Sequence, residues 1–173
     1  MRLDQLSGFV RDVPNFPQPG IVFKDISPLL GSPEAFIAAV DAMVEGHDAG
    51  DVDKVVGIEA RGFLLAAPVA YHLRAGMVPV RKPGKLPGPV HTISYDLEYG
   101  SNALACHQDA FVPGDRVLVV DDVLATGGTA AAAIELVERG GAIVVGVSVL
   151  LELTFLSGRA ALTGRAVHSL LRF

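Results

Sequence analysis

The chain has little of what would tie it to an oxidising compartment, a membrane or a polyanion. Of its 173 residues only Cys106 is a cysteine, so no internal disulfide can form, and a reducing cytosol is the expected compartment. No stretch approaches the roughly 20 consecutive apolar residues of a membrane-spanning helix. The opening Met-Arg-Leu-Asp-Gln-Leu puts an acid where a secretory signal would need apolar residues. A formal net charge of −5 argues against general binding to nucleic acid or anionic membranes, though it leaves room for a local basic pocket. The five histidines (His47, His72, His91, His107, His168) show no metal-ligand spacing, and there is no internal repeat or low-complexity tract. What is present is a globular composition, 50% apolar and 19% charged, at the length of one ordinary domain.

Residues 116–130 say most about function. An apolar β-branched run, Arg116-Val117-Leu118-Val119-Val120, ends in Asp121 and Asp122, and a Thr126-Gly127-Gly128-Thr129 turn then opens an alanine-rich stretch. This reads as a buried parallel strand delivering an anion-binding turn to a helix start. Gly127 and Gly128 let the main chain approach an anion, and helix N-terminal N–H groups are ready donors. Thr126 and Thr129 add hydroxyl donors. No lysine follows the glycines, so the turn is not a P-loop, and the Gly-x-Gly-x-x-Gly dinucleotide pattern is absent. Carboxylates repel phosphate, so Asp121 and Asp122 are expected to face ribose hydroxyls or a metal. Phosphate on one side and a sugar diol on the other describe a phosphorylated ribose.

The flanking pattern predicts an α/β fold. A short amphipathic helix is expected at 3–12, a Pro/Asn/Gly-rich break at 14–20, and a helix at 33–47 with Ser32 as cap and Pro33 in its first turn. Strands are expected at 54–58, 77–80, 116–120 and 142–150, with helices at 63–73 and 129–139. Such alternation means a parallel sheet with helices on both faces, its ligands beyond the carboxyl ends of the strands. Residues 59–62 and 121–129 both fall there. Residues 82–102, rich in proline and glycine with a faint strand at 91–97, are expected to form a lid or binding loop.

With these residues assembled, the sequence resembles an adenine phosphoribosyltransferase of the bacterial form, over nearly its whole length. The matching pieces are Phe16-Pro17-Gln18-Pro19-Gly20-Ile21-Val22-Phe23-Lys24-Asp25-Ile26-Ser27-Pro28, Gly57-Ile58-Glu59-Ala60-Arg61-Gly62-Phe63, Arg81-Lys82-Pro83-Gly84-Lys85-Leu86-Pro87-Gly88, Ser94-Tyr95-Asp96-Leu97-Glu98-Tyr99-Gly100, Val120 to Thr129, and Leu151-Glu152-Leu153. The resemblance implies the type I phosphoribosyltransferase fold. That is a single domain, 1–173, whose central, mostly parallel sheet is flanked by helices. It has a small N-terminal hood that recognises the base (about 1–30) and a flexible active-site loop (about 82–102). It implies transfer of the 5-phosphoribosyl group of phosphoribosyl pyrophosphate (PRPP) to N9 of adenine, giving AMP and pyrophosphate with Mg²⁺. A cytoplasmic homodimer without nucleic-acid or membrane partners is the implied setting.

The resemblance also distributes roles. Residues Ala125, Thr126, Gly127, Gly128 and Thr129 would hold the 5-phosphate, and Asp121 and Asp122 would accept from the ribose hydroxyls. Arg61, Lys85 and Lys82 would meet pyrophosphate. Mg²⁺ would be bound through substrate and water rather than directly by the protein. Glu98 would be the acid/base on the closing lid, with Tyr99 beside it sealing the site. The Val22 carbonyl and the Lys24 N–H would read adenine's amino group and N1, and Phe23 and Leu153 would contact its ring.

Related hypoxanthine/guanine enzymes are expected to carry an acid where this chain has Ala125 and a lysine where it has Gly128. Several relatives have arginine at position 24, and animal forms have Asp-Ser where this chain has Glu59-Ala60. The competing readings are a transferase for xanthine or orotate and a non-catalytic sensor of PRPP. An anionic base would want a basic contact that Val22 and Phe23 do not offer, and a nucleic-acid-binding sensor would want a basic surface or a further domain.

Overall fold

Five parallel strands form the sheet that positions everything else. The computed structural model describes residues 1–96 and 101–173. Its chain divides into two compact units, Met1–Ala42 and Met43–Phe173.

In the first unit a 3₁₀ turn, Leu3–Phe9, precedes an antiparallel pair, β1 (Arg11–Pro14) and β2 (Val22–Asp25). Helix α1 (Ser27–Gly31) follows, its first N–H accepted by Asp25 Oδ1 at 2.9 Å. Helix α2 (Pro33–Met43) starts where expected, with Ser32 Oγ accepting from the Ala35 N–H at 3.4 Å. The helix expected at 3–12 is therefore a 3₁₀ turn followed by a strand. Leu3 and Leu6 stand three apart, the period of a 3₁₀ helix, and the extended conformation before Pro14 favours a strand.

The second unit holds β3 (Lys54–Ile58), α3 (Arg61–Leu73), β4 (Gly76–Val80), an antiparallel pair β5 (Val90–Asp96) and β6 (Ser101–His107), then β7 (Arg116–Leu124), α4 (Gly128–Arg139), β8 (Ile143–Glu152) and β9 (Val167–Arg172). The sheet order is β4-β3-β7-β8-β9, parallel throughout. Val117, Leu118, Val119 and Val120 are all buried, the continuous apolar run of a strand covered on both faces. Val56, Ile58, Val117 and Val119 share a core with α4 and with Ile93, Leu104 and Cys106 of the β5–β6 pair. Gly57, of opposite parity, faces α3: a Cβ there would lie 2.7 Å from Ala66 Cβ and 2.9 Å from Met77 Cε. Burial pushes the Cys106 thiol up to about 11.

Three parts differ from expectation. Strand β7 runs to Leu124, so Asp121 and Asp122 lie within the strand, because β8 continues to pair with it as far as Leu124↔Glu152. The faint strand expected at 91–97 is β5, which alternates buried Ile93 and half-buried Tyr95 with exposed Thr92 and Ser94, and it pairs with β6, a strand outside the expectation. Strand β9 closes the sheet at an edge that the sequence reading lacks altogether. Among the described residues no helix is long and apolar enough to cross a membrane. Gly57→Ala is expected to destabilise by about 1–3 kcal/mol in urea denaturation, because neither β3 nor α3 can retreat without opening the core.

Candidate functional site

In chain order the sheet runs 2-1-3-4-5, so the winding reverses between β3 and β7. A crevice opens beyond the carboxyl ends of strands at such a point. Glu59 and Ala60 leave β3 there and Arg61 opens α3, while Asp121 to Leu124 end β7 and Ala125 to Thr129 leave it.

The two aspartates are the electrostatic centre. Asp122 is 5% exposed, and its Oδ2 lies 2.6 Å from Arg61 Nε. That oxygen has the ion pair but no aligned hydrogen bond. Asp121 Oδ1 accepts the Asp122 N–H at 2.9 Å and lies 2.7 Å from where a Gly62 Cβ would stand, so glycine lets the start of α3 settle over the carboxylate. Burial pushes the Asp121 carboxyl well above the usual range, and the neighbouring Asp122 charge adds to it. Burial raises Asp122 too, and the Arg61 guanidinium pulls it partly back. Arg61, expected at pyrophosphate, is thus held beside the pair expected to bind ribose.

The turn after β7 forms a small concavity of about 50 Å³ lined by residues 123–127, 129 and 130. Gly127 sits at φ +86° and begins α4, whose first turn donates the Ala131 N–H to Gly127 O at 2.9 Å. That conformation suits glycine and leaves the free N–H groups of Gly128 and Thr129 at the helix start. Ala125 and Thr129 are half-buried and Thr126 is exposed.

Two further residues join this arrangement. Glu59 accepts from Arg81 Nε at 3.2 Å, from Arg81 Nη2 at 3.3 Å and from the Lys82 N–H at 3.0 Å. Arg81 also donates to Lys85 O at 3.2 Å, so one carboxylate fixes the base of the segment carrying exposed Lys82 and Lys85. Those hydrogen bonds from Arg81, then that from Lys82, hold the Glu59 carboxyl below its ordinary value against its burial. The Tyr95 hydroxyl lies 3.1 Å from Thr129 Oγ1, tying β5 to the start of α4. The sequence reading gave Glu59 no role beyond a departure from animal forms and gave Tyr95 none. The cue for Glu59 was a carboxylate directly after a buried strand.

The remaining expected residues are distributed as follows. Val22, Phe23 and Lys24 lie on β2 of the first unit, with Val22 exposed, Phe23 edge-on to Phe16 at 5.1 Å and Lys24 Nζ 2.6 Å from Asp12 Oδ1. Leu153 follows β8 in the second unit, its N–H donating to Leu124 O at 2.9 Å. Glu98 and Tyr99 lie outside the described residues. Among the described residues no group of three or more His, Cys, Asp or Glu side chains could hold a metal ion.

The phosphoribosyl transferase domain model matches residues 28–161. The chain is 61% identical over 167 residues to the adenine phosphoribosyltransferase of Acidothermus cellulolyticus, covering 96% of this chain and 94% of that protein. Its fold matches the crystal structure of adenine phosphoribosyltransferase from Rhodothermus marinus with TM-score 0.94 and 53% identity, over 99% of this chain and 98% of that one. It also matches the Saccharomyces cerevisiae enzyme, complexed with an imino-altritol bisphosphate and adenine, with TM-score 0.92 and 40% identity, over 98% of each chain.

Asp121→Asn is expected to raise the melting temperature at pH 7, because it removes a buried charge and keeps the acceptor for the Asp122 N–H. The folded-state pKa is raised, so the ionised carboxylate costs stability only above the unfolded value of ~3.9. The gain should therefore vanish in melts at pH values below that.

Proposed function

The chain belongs to the adenine phosphoribosyltransferase family, and from that premise we propose that it transfers the 5-phosphoribosyl group of PRPP to N9 of adenine, releasing AMP and pyrophosphate. The observation that carries this reading is the pairing, at the reversal point of the sheet, of an N–H-rich turn with two adjacent carboxylates, of which the buried Asp122 is paired with Arg61.

In this reading each group has a task in that reaction. Residues 125–129 hold the 5-phosphate through main-chain N–H groups and the hydroxyls of Thr126 and Thr129. Asp121 and Asp122 accept hydrogen bonds from the ribose hydroxyls and favour the positive charge that develops at the anomeric carbon. Arg61, paired with Asp122, meets pyrophosphate, and Lys85 and Lys82 add positive charge from a segment anchored by Glu59 and Arg81. Mg²⁺, when bound, neutralises pyrophosphate. Two adjacent carboxylates and hard oxygen donors suit an ion that keeps much of its shell in substrate oxygens and water.

Glu98 carries the proton to and from the purine, and Tyr99 closes the site beside it. Ala125 offers no base of its own in the phosphate turn, which leaves that duty to Glu98. Adenine is read by β2: residues two apart on a strand direct their main-chain groups to the same edge, so the Val22 carbonyl and the Lys24 N–H can meet the amino group and N1 together. Phe23 and Leu153 contact the ring. A 6-oxo purine reverses the donor and acceptor and leaves both main-chain groups unpaired, the kind of mismatch that supports strong discrimination.

We place the enzyme in the cytoplasm as a homodimer. Support for association comes from α3, which begins at Arg61 and leaves Leu64, Ala67, Pro68 and Tyr71 on one outward stripe, with Leu64 52% and Tyr71 88% exposed. Tyr71→Glu is expected to shift the species seen by analytical ultracentrifugation from dimer to monomer.

The function is tested by AMP formation from adenine, PRPP and Mg²⁺, with hypoxanthine, guanine, xanthine and orotate in parallel. Turnover is expected with adenine alone, and Glu98→Ala should lower kcat by about 10²–10⁴-fold. Comparable turnover with another base would overturn the adenine reading, and an unchanged kcat in Glu98→Ala would overturn the acid/base assignment.

A further inference from the structure

We propose that Arg159 is a positioning residue for the phosphate-binding turn: it locks the segment Gly158–Leu162 to the end of β8 and the first half of β9, and the main chain of that segment is the floor on which residues 125–127 rest. This rests on the reading of the turn given above.

The lock is built around Glu152, the last residue of β8 and only 5% exposed. Arg159 Nε donates to both of its carboxylate oxygens, at 2.9 and 3.0 Å, and Nη2 to Oε2 at 2.9 Å. The same guanidinium donates to Val167 O at 2.9 Å and to Ser169 Oγ at 2.8 Å, both on β9. Ser169 Oγ in turn donates to Glu152 Oε2 at 2.7 Å, and Arg172 Nε lies 3.5 Å from that oxygen. These contacts, Arg159 first, hold the Glu152 carboxyl below its ordinary value despite burial. A planar fork with five donors fixes the direction of the chain that carries it, which an ammonium group cannot do.

The residue next to Arg159 is the floor. A Cβ at Gly158 would be driven into the Ala125 carbonyl oxygen, and a Cβ at Gly127 into the Gly158 carbonyl oxygen and to 2.9 Å from Ala161 Cβ. The two backbones are therefore in direct contact, with no side chain between them to absorb a shift. The N–H groups that face the phosphate inherit their direction from the position of Gly158, and Arg159 sets that position. The 5-phosphate is gripped equally before and during the reaction, so loosening the floor should weaken PRPP binding without slowing the chemical step.

The test compares wild type, Arg159→Lys and Gly158→Ala by hydrogen exchange without ligand and by steady-state kinetics. Both variants are expected to exchange residues 125–131 about 10-fold faster than wild type, with other segments unchanged. KM for PRPP should rise about 10-fold while kcat stays within about 3-fold. Unchanged exchange and KM in the folded variants would overturn the proposal. So would a concerted rise in exchange everywhere with a fall in kcat, which marks general destabilisation. If Arg159→Lys does not fold, Ser169→Ala, which removes one acceptor of the guanidinium and leaves the Arg159–Glu152 pair whole, is read in its place by the same exchange and KM. Absence of turnover in wild type would sink the substrate reading instead, and the exchange comparison would still decide the lock.

Discussion

Two adjacent carboxylates at the end of a buried strand, with one guanidinium against them, constrain the rest of this molecule. Asp121 and Asp122 repel one another and are poorly solvated, so their ionised forms persist only where neighbours are placed with care. Arg61 must come from the first turn of α3, and α3 must begin immediately after β3. That in turn requires β3 and β7 to be neighbours at the reversal of the sheet.

Close backbone approach is the second theme. Gly57 and Gly62 bring α3 down onto β3 and onto Asp121, while Gly127 and Gly158 bring the phosphate turn against the segment after β8. At each of these places a single methyl group would separate elements whose spacing the site depends on. The sheet holds the charges, and the glycines set how near the surrounding chain can come.

Much of this was legible in the sequence because it is local. A β-branched run ending in Asp121-Asp122 and a Thr126-Gly127-Gly128-Thr129 turn each carry their chemistry within a few residues, and the βαβ unit around them follows from the apolar pattern. The family resemblance extended that reading across the chain, and the comparisons support the adenine transferase and its fold. What escaped was non-local or diluted. The alternation of Ile93 and Tyr95 sits among prolines and glycines, so the strand at 91–97 is only faint and its partner β6 is not legible, and β9 is an edge whose half-buried residues give no clear period. Glu59 meets Arg81 and Glu152 meets Ser169 only after the chain has folded, so spacing could not announce either pair.

The burial of Cys106 on β6 has a chemical consequence. With its pKa near 11, almost none of the protein's one thiol is thiolate at neutral pH, and its sulfur lies inside the core shared with α4. Oxidants and alkylating agents reach cysteine through exposed thiolate, so Cys106 is inert toward them while the protein stays folded. Modification of Cys106 requires β6 to leave the core, and its rate is therefore a clock for that opening rather than a measure of the redox state of the surroundings.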